Sequence, residues 1–350
     1  MLAAARSHTE WFAEPFAEGR LAPMPVHVVD KPLGPSSHDV VARARRLLGT
    51  RRVGHAGTLD PLATGVLLVL SQEATKLSPF LTGSEKCYLA WIAFGAGTPT
   101  LDAEGPVEER GDPAAVDEAR LREAFAPFLV LDTQLPPRFS AVKRGGRAAY
   151  RDARAGVDQA PLPARPAAYH QVELIAFGSR TSLPERFGPT QDGWRPKLAG
   201  RSFELPPALA TLPTALVALR VAAGTYVRAF ARDLGEALGV PAHLAGLVRT
   251  RAGDVDLAAA VPLDELATTP GLPAAQALPF PKVAVSALQA QRLRQGQRLP
   301  ATELGGSGTV GLVGPDGELI AIAELAPEGM RLRRVWPAAR TPHQPPGSSR

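Results

Sequence analysis

The stretch Arg52-Val53-Gly54-His55-Ala56-Gly57-Thr58-Leu59-Asp60-Pro61-Leu62-Ala63-Thr64-Gly65 is the one segment of this chain that neither a core strand nor a helix would need. It sets an imidazole, His55, and a carboxylate, Asp60, among three glycines, a proline and two threonines. Glycine reaches backbone conformations that other residues avoid, and an Asp-Pro step favours a turn. Val66-Leu67-Leu68-Val69-Leu70 follows at once and reads as a buried strand. Asp60 is therefore expected on a shaped loop whose far end is anchored in the core, the way a scaffold presents a reactive group.

The elements that must position this loop are legible on both sides of it. Residues 26–30 read as a short strand and Lys31-Pro32-Leu33-Gly34-Pro35 as a turn-rich loop. Ser36 offers a helix N-cap with Asp39 as its capping-box partner, and Gly49 closes the helix. Val40, Val41, Ala44, Leu47 and Leu48 form its apolar stripe. Arg43, Arg45 and Arg46 fall mainly off that stripe, with Arg51 and Arg52 just beyond, so the helix delivers positive charge to the edge of the Asp60 loop. A helix is expected to begin at Glu73-Ala74-Thr75-Lys76. Residues 87–94 read as a strand with Tyr88, Ala90, Ile92 and Phe94 on one face.

Farther along, residues 113–130 read as an amphipathic helix and 178–213, with six prolines, as a long loop. Residues 216–221 return to strand character, and Gly224-Thr225-Tyr226-Val227-Arg228 leads into a helix ending before Gly239. Pro262 to Pro281 has the Pro/Ala composition of a linker. Residues 310–313 and 319–323 flank Pro315-Asp316-Gly317 as a hairpin. Both chain ends, residues 1–25 and 338–350, read as flexible tails.

Composition narrows the function. At 350 residues and 45% hydrophobic content the chain can bury sizeable cores in more than one unit. One cysteine, Cys87, allows neither an intramolecular disulfide nor a thiolate zinc site, consistent with a reducing cytoplasm. No run approaches the ~20 apolar residues of a membrane span. The net charge of +5 is uneven: residues 31–52 hold six Lys/Arg against one Asp, and 143–154 hold five against one. Residues 101–123 hold eight Asp/Glu against three Arg. Basic blocks separated from an acidic one suggest a polyanion footprint on one face, and ordinary solvated helix faces account for them equally well.

Residues 54–65 resemble the motif G-H-x-G-x-L-D-P-x-A-x-G of the bacterial tRNA pseudouridine synthase B (TruB) family, which places that family's nucleophilic aspartate at Asp60. The resemblance runs from about Val26 to Trp336. Lys31-Pro32 with the Ser-Ser helix start looks like the family's opening motif, and Glu73-Ala74-Thr75-Lys76 like its next signature. Tyr88 matches an active-site tyrosine, and residues 98–105 resemble the T-x-T-x-D-x-x-G loop, whose carboxylate is Asp102. Residues 136–143 resemble P-P-x-(F/Y)-S-A-x-K, which precedes an RNA-gripping basic excursion at 143–156. Residues 224–228 resemble G-T-Y-(V/I)-R, with Tyr226 lining the base pocket and Arg228 beside the aspartate. Residues 242–250 resemble A-H-x-x-x-L-x-R-(T/L), whose leucine, Leu247, contacts the target uracil. The 178–213 segment looks longer than the family usually has.

The resemblance implies an α+β pseudouridine synthase fold over residues 26–277, a mixed and largely antiparallel central sheet flanked by helices and loops. A small C-terminal PUA-type β-barrel, an RNA-binding module, is implied over 278–337. It further implies isomerisation of uridine to pseudouridine at position 55 in the T-loop of tRNA, with base flipping and neither metal nor cofactor. Asp60, Tyr88 and Arg228 would be catalytic. His55, Tyr226, Leu247, Asp102 and Lys31 would contact substrate, and Arg43, Arg46, Arg52, Lys76, Lys143, Arg144, Arg147 and Arg151 would contact the T-arm. A cytoplasmic monomer with no membrane partner is expected. Asp60 attacks either ribose C1′ or the base, two routes that the residues alone leave open. A non-catalytic RNA-folding protein on the same scaffold would be expected to lack Asp60 or Arg228, and both are present. A uridine methyltransferase is disfavoured by the lack of a methyl-donor motif. Gly306-Ser307-Gly308-Thr309-Val310-Gly311 satisfies G-x-G-x-x-G without a strand-turn-helix around it, so no nucleotide site is read there.

Overall fold

The computed structural model describes residues 24–140, 162–207 and 211–337, with the backbone of 143–144 and 147–148. Its strands are β1 (Pro25–Lys31), β2 (Val53–Ala56), β3 (Ala63–Ser71), β4 (Lys86–Phe94), β5 (Tyr169–Ser179), β6 (Arg186–Thr190), β7 (Gly193–Pro196), β8 (Arg201–Ser202), β9 (Pro213–Val221), β10 (Ala242–Ala252), β11 (Val261–Pro262), β12 (Lys282–Ala284), β13 (Gly308–Val313), β14 (Leu319–Ala326) and β15 (Gly329–Val335). Its longer helices are α1 (Ser37–Leu47), α2 (Ser78–Thr82), α3 (Glu118–Phe125), α4 (Val227–Leu238) and α5 (Ala287–Arg294).

The central sheet runs β5-β9-β4-β10-β3-β1-β11, with β2 paired to β3. Only β10 with β3 and β1 with β11 pair in parallel along that path. Its inner strands are apolar on both faces, because both faces are covered. In β4, Ala90, Ile92 and Phe94 face the core under α1, α3 and α4, while Leu89, Trp91 and Ala93 face the opposite core. Leu67 and Val69 divide from Val66, Leu68 and Leu70 in the same way along β3.

The first core is closed by helices whose ends follow their sequence signals. Ser36 and Asp39 form the expected capping box on α1, whose Val40, Val41 and Ala44 are buried. The expected single helix over 113–130 is instead α3 followed by a 3-10 turn at Ala126–Val130, because Pro127 cannot continue an α-helix. The expected helix at Glu73 opens likewise as a 3-10 turn, Gln72–Leu77, before α2.

The second core corrects three expectations. The long loop at 178–213 contains a small antiparallel sheet, β7-β6-β8. Phe187 packs edge-on against Trp91, and Trp194 is buried with its indole N–H on Asp256, so this sheet roofs the central one. Its prolines hid the strands because strand edges and turns tolerate them. The supposed linker is packed: Ala274, Ala275, Ala277 and Leu278 are buried in the second core. The N-terminal boundary also moves, since Met24 is buried and Pro25 begins β1.

The C-terminal residues form a four-stranded sheet, β12-β13-β14-β15, with the hairpin between β13 and β14 as expected. Among the described residues no pairing closes β15 onto β12, so the expected barrel is an open sheet. β12 has three residues, and Arg331, Arg333 and Arg334 on β15 are exposed, features that discourage edge pairing. Val313, Leu319, Ile322 and Trp336 share the second core with α2 and β3. Trp336 is enclosed and donates its indole N–H to Glu73 O at 3.2 Å. Trp336→Ala is expected to cost about 3–5 kcal/mol in urea unfolding. The rate constant of the folded fraction should stay at the wild-type value, because Trp336 packs in the second core, whereas Leu59, Tyr88 and Leu247 pack in the first.

Candidate active site

The loop between β2 and β3 is held from beneath by side chains of three other elements. Ser37 at the start of α1 donates its hydroxyl to Leu59 O at 2.9 Å and accepts from Leu59 N–H at 2.8 Å. Lys31 at the end of β1 donates to Ala63 O at 2.6 Å, Pro32 O at 3.0 Å and Pro61 O at 3.2 Å. Arg249 on β10 donates to Val66 O at 2.7 Å, Gly57 O at 3.0 Å and Thr58 O at 3.2 Å. Two glycines permit this approach. Gly65 has φ +94° and a Cβ there would lie 2.4 Å from Arg249 O, while Gly57 has φ +96° and lies over the Arg249 guanidinium.

Above this frame the Asp60 side chain remains 36% exposed, and its Oδ2 accepts from Arg228 Nε at 2.8 Å. Arg228, 7% exposed on the first turn of α4, also donates to Thr100 O at 3.0 Å and Phe139 O at 2.9 Å. Asp102 Oδ2 stands 3.7 Å from Arg228 Nε. Asp102 is buried and accepts from Thr100 Oγ1 at 2.6 Å and Glu104 N–H at 3.1 Å. Burial raises its carboxyl above the usual range, against the opposing pull of those hydrogen bonds and Arg228. Leu101 before it adopts φ +63°, rare for a branched residue and a mark of a constrained loop. Glu104 is raised by partial burial and then by the charges of Asp102 and Asp60. The result is a guanidinium shared by two carboxylates, one buried and one reachable.

The other expected substrate residues divide. Tyr88 and Leu247 pack with the core cluster that includes Leu59 and Val227, and Leu247 lies in parallel register with Ala63. Tyr226 is the N-cap residue of α4 and exchanges backbone hydrogen bonds with the Gln134 amide. His55 lies on β2 edge-on to His38, with ring centroids 5.6 Å apart and its Nδ1 buried without a partner. Burial, then the charges of His38 and Arg249, lowers its pKa, so the ring is neutral at pH 7. Lys31, expected at the substrate, is enclosed and donates its ammonium to carbonyls of the loop.

The basic residues are less free than their charges imply. Arg52 and Lys76 flank Glu73 at 2.9 and 2.5 Å, and Arg43 pairs with Asp264 at 2.5 Å. Arg46 is exposed and lines a cleft with Arg43 and Arg201. The side chains of Lys143, Arg144, Arg147 and Arg151 lie outside the described residues; the backbone of 143–144 pairs antiparallel with 147–148.

Sequence reasoning missed Ser37 as a loop contact and gave Arg249 no role. The available signal was an arginine directly after the apolar run Leu244–Val248 of β10. A further enclosed cation, Lys86, donates to Ser84 O at 2.5 Å and Thr82 O at 2.6 Å at the end of α2. Burial, then the charge of Arg249, pushes its pKa down from 10.5 to about 8. Between those values the unfolded chain binds more protons, so this group's contribution to stability rises with pH, by about 3 kcal/mol in total. The Tm of the wild type relative to Lys86→Met is therefore expected to climb from pH 8 to pH 10.5 and stay flat below pH 8.

Residues 45–185 match the family described as the TruB family pseudouridylate synthase N-terminal domain. Residues 228–271 match the tRNA pseudouridylate synthase B C-terminal domain, and 280–337 the tRNA pseudouridine synthase II C-terminal domain. The tRNA pseudouridine synthase B of Deinococcus radiodurans is 49% identical over 314 residues, 89% of this chain and 100% of that protein. The protein of the same name from Thermus thermophilus is 50% identical over 89% of this chain and 99% of its own length.

The chain belongs to the tRNA pseudouridine synthase B family.

As a member of that family it is an isomerase, and the pseudouridine synthase fold extends to distant solved structures. A Cbf5-Nop10-Gar1 complex matches with TM-score 0.63 at 22% identity, over 93% of this chain and 92% of that one. An archaeal box H/ACA Nop10-Cbf5 complex matches with TM-score 0.58 at 22% identity, over 89% and 86%. No helix among the described residues of this synthase is long and apolar enough to cross a membrane.

Proposed function

We propose that this synthase isomerises the uridine at position 55 in the T-loop of tRNA, with Asp60 as the nucleophile. The observation that carries the reading is the ion pair of a reachable Asp60 with an enclosed Arg228, in a loop whose backbone is fixed independently of it. A carboxylate nucleophile must be ionised while partly stripped of water, which is costly unless a cation offsets it. The Arg228 guanidinium, paired with Asp60, supplies that offset.

The step balances without an external reactant. Asp60 bonds to ribose C1′ or to the base, the N1–C1′ bond breaks, and the uracil turns. A C5–C1′ bond then forms, the bond to Asp60 breaks and frees its carboxylate, and the C5 proton is lost as N1 gains one. The change is redox-neutral, so no electron carrier is required. Tyr88 stacks on the uracil and assists removal of the C5 proton, while Tyr226 and Leu247 bound its pocket. The target base must leave its stack, at a cost of a few kcal/mol, and a neutral His55 occupies the space it leaves. The synthase acts on the T-arm as a cytoplasmic monomer, and its basic surfaces meet phosphates.

The test is an unmodified tRNA transcript incubated with the full chain and mapped by carbodiimide labelling. A single new adduct at the T-loop uridine with no change in RNA mass is expected. An adduct at another position, or a mass gain, overturns the assignment. Affinity should also fall with salt, with a log–log slope of roughly −0.7 to −0.9 per phosphate contact, and Arg147→Ala/Arg151→Ala should flatten that slope.

A further inference from the structure

Arg249 is the least expected feature beneath the site. Its residue is 1% exposed on a central strand, and among the described residues no carboxylate lies within ion-pair distance. A buried cation without a counter-ion is unfavourable unless its N–H groups are matched. Here three of them are matched, and every acceptor belongs to the Asp60 loop or the strand it enters. Gly57 and Thr58 precede Asp60, and Val66 follows it, so one planar group ties both limbs of the loop together. Arg249 also stands in parallel register with Gly65, two residues beyond Leu247 opposite Ala63.

We propose that Arg249 is the positioning residue of the Asp60 loop. Its guanidinium fixes the loop backbone from inside the sheet and so sets the direction in which the carboxylate meets the nucleotide. Arg228 holds the side chain from the cleft, and Arg249 holds the backbone from below. The same guanidinium ties the loop to β10 and so keeps Asp60 in step with Leu247. A lysine would keep the charge but present one compact ammonium in place of a planar fork, and would not span both limbs. The proposal rests on the assignment of the chemistry to Asp60.

The test compares full-length wild type, Arg249→Lys and Arg249→Met. Single-turnover reactions on a tRNA transcript separate amplitude, which counts folded enzyme, from rate constant, which reports placement. Binding of the same tRNA and hydrogen exchange of the amides at 57–63 complete the comparison. In Arg249→Lys the amplitude should hold, tRNA affinity should stay within about twofold and the rate constant should fall about 10- to 100-fold, the scale of a 1 Å misplacement. Exchange at 57–63 should accelerate while that of β4 does not. Reduced amplitude with an unchanged rate constant would make Arg249 a fold-stabilising residue only and overturn the proposal. So would unfolding of both variants, or wild-type exchange in Arg249→Lys. If wild-type enzyme left every tRNA unmodified, the Asp60 reading would fall instead, and the exchange data would still decide whether Arg249 positions the loop.

Discussion

Asp60→Asn is expected to abolish detectable pseudouridine formation while leaving thermal unfolding and tRNA affinity near their wild-type values. The amide has nearly the volume of the carboxylate, and its carbonyl oxygen can still accept from Arg228 Nε. The loop backbone does not depend on the lost charge, because Ser37, Lys31 and Arg249 hold its carbonyls. What disappears is the nucleophile, and loss of a nucleophile elsewhere costs about 10⁴-fold or more. Binding to tRNA rests mainly on phosphates and stacked bases, so removing one negative charge leaves it unchanged or slightly tighter. Three measurements on one preparation check this: carbodiimide mapping, tRNA binding and thermal unfolding. Substantial turnover by the Asn variant would refute Asp60 as nucleophile.

Arg228→Ala should lose both rate and stability, which distinguishes it from Asp60→Asn. The arginine is enclosed, and its removal leaves Thr100 O and Phe139 O without their donor. It also strips the nearby cation from Asp102, whose buried carboxyl is already raised by desolvation and would rise further. Breaking a buried charge network on one side costs about 3–5 kcal/mol. The rate falls as well, because Asp60 loses the cation that pairs with its carboxylate and aims it. Urea unfolding with single-turnover kinetics checks the pair of effects. A variant that loses rate but unfolds like the wild type would show that Arg228 does not brace the Thr100 and Phe139 segments.

Several features were local and therefore readable in the chain. The capping box Ser36–Asp39 needs only four residues, and the two-sided apolar runs of β3 and β4 need only their own composition. The loop around Asp60 announced itself by glycines, and Gly57 and Gly65 do adopt the positive φ that only glycine takes easily. Segments where sequence misled lacked such local cues. Prolines in 178–213 mark turns and strand edges equally well, and only contact of Phe187 and Trp194 with Trp91 and Asp256 shows that strands lie between them. The packed alanines at 274–277 have the composition of a linker.

What the sequence by itself determined is the reactive inventory: a carboxylate on a glycine-shaped loop, a distant arginine, two tyrosines and a basic surface. Tertiary structure decided which cations serve which atoms. Arg228 lies 168 residues from Asp60 and reaches its carboxylate, whereas Arg249, 192 residues from Gly57, reaches only the loop backbone. Lys31, expected at the substrate, is enclosed by the same frame. Two arginines of equal charge are indistinguishable in composition; the docking of α4 brings Arg228 to the cleft, and the register of β10 seals Arg249 beneath it.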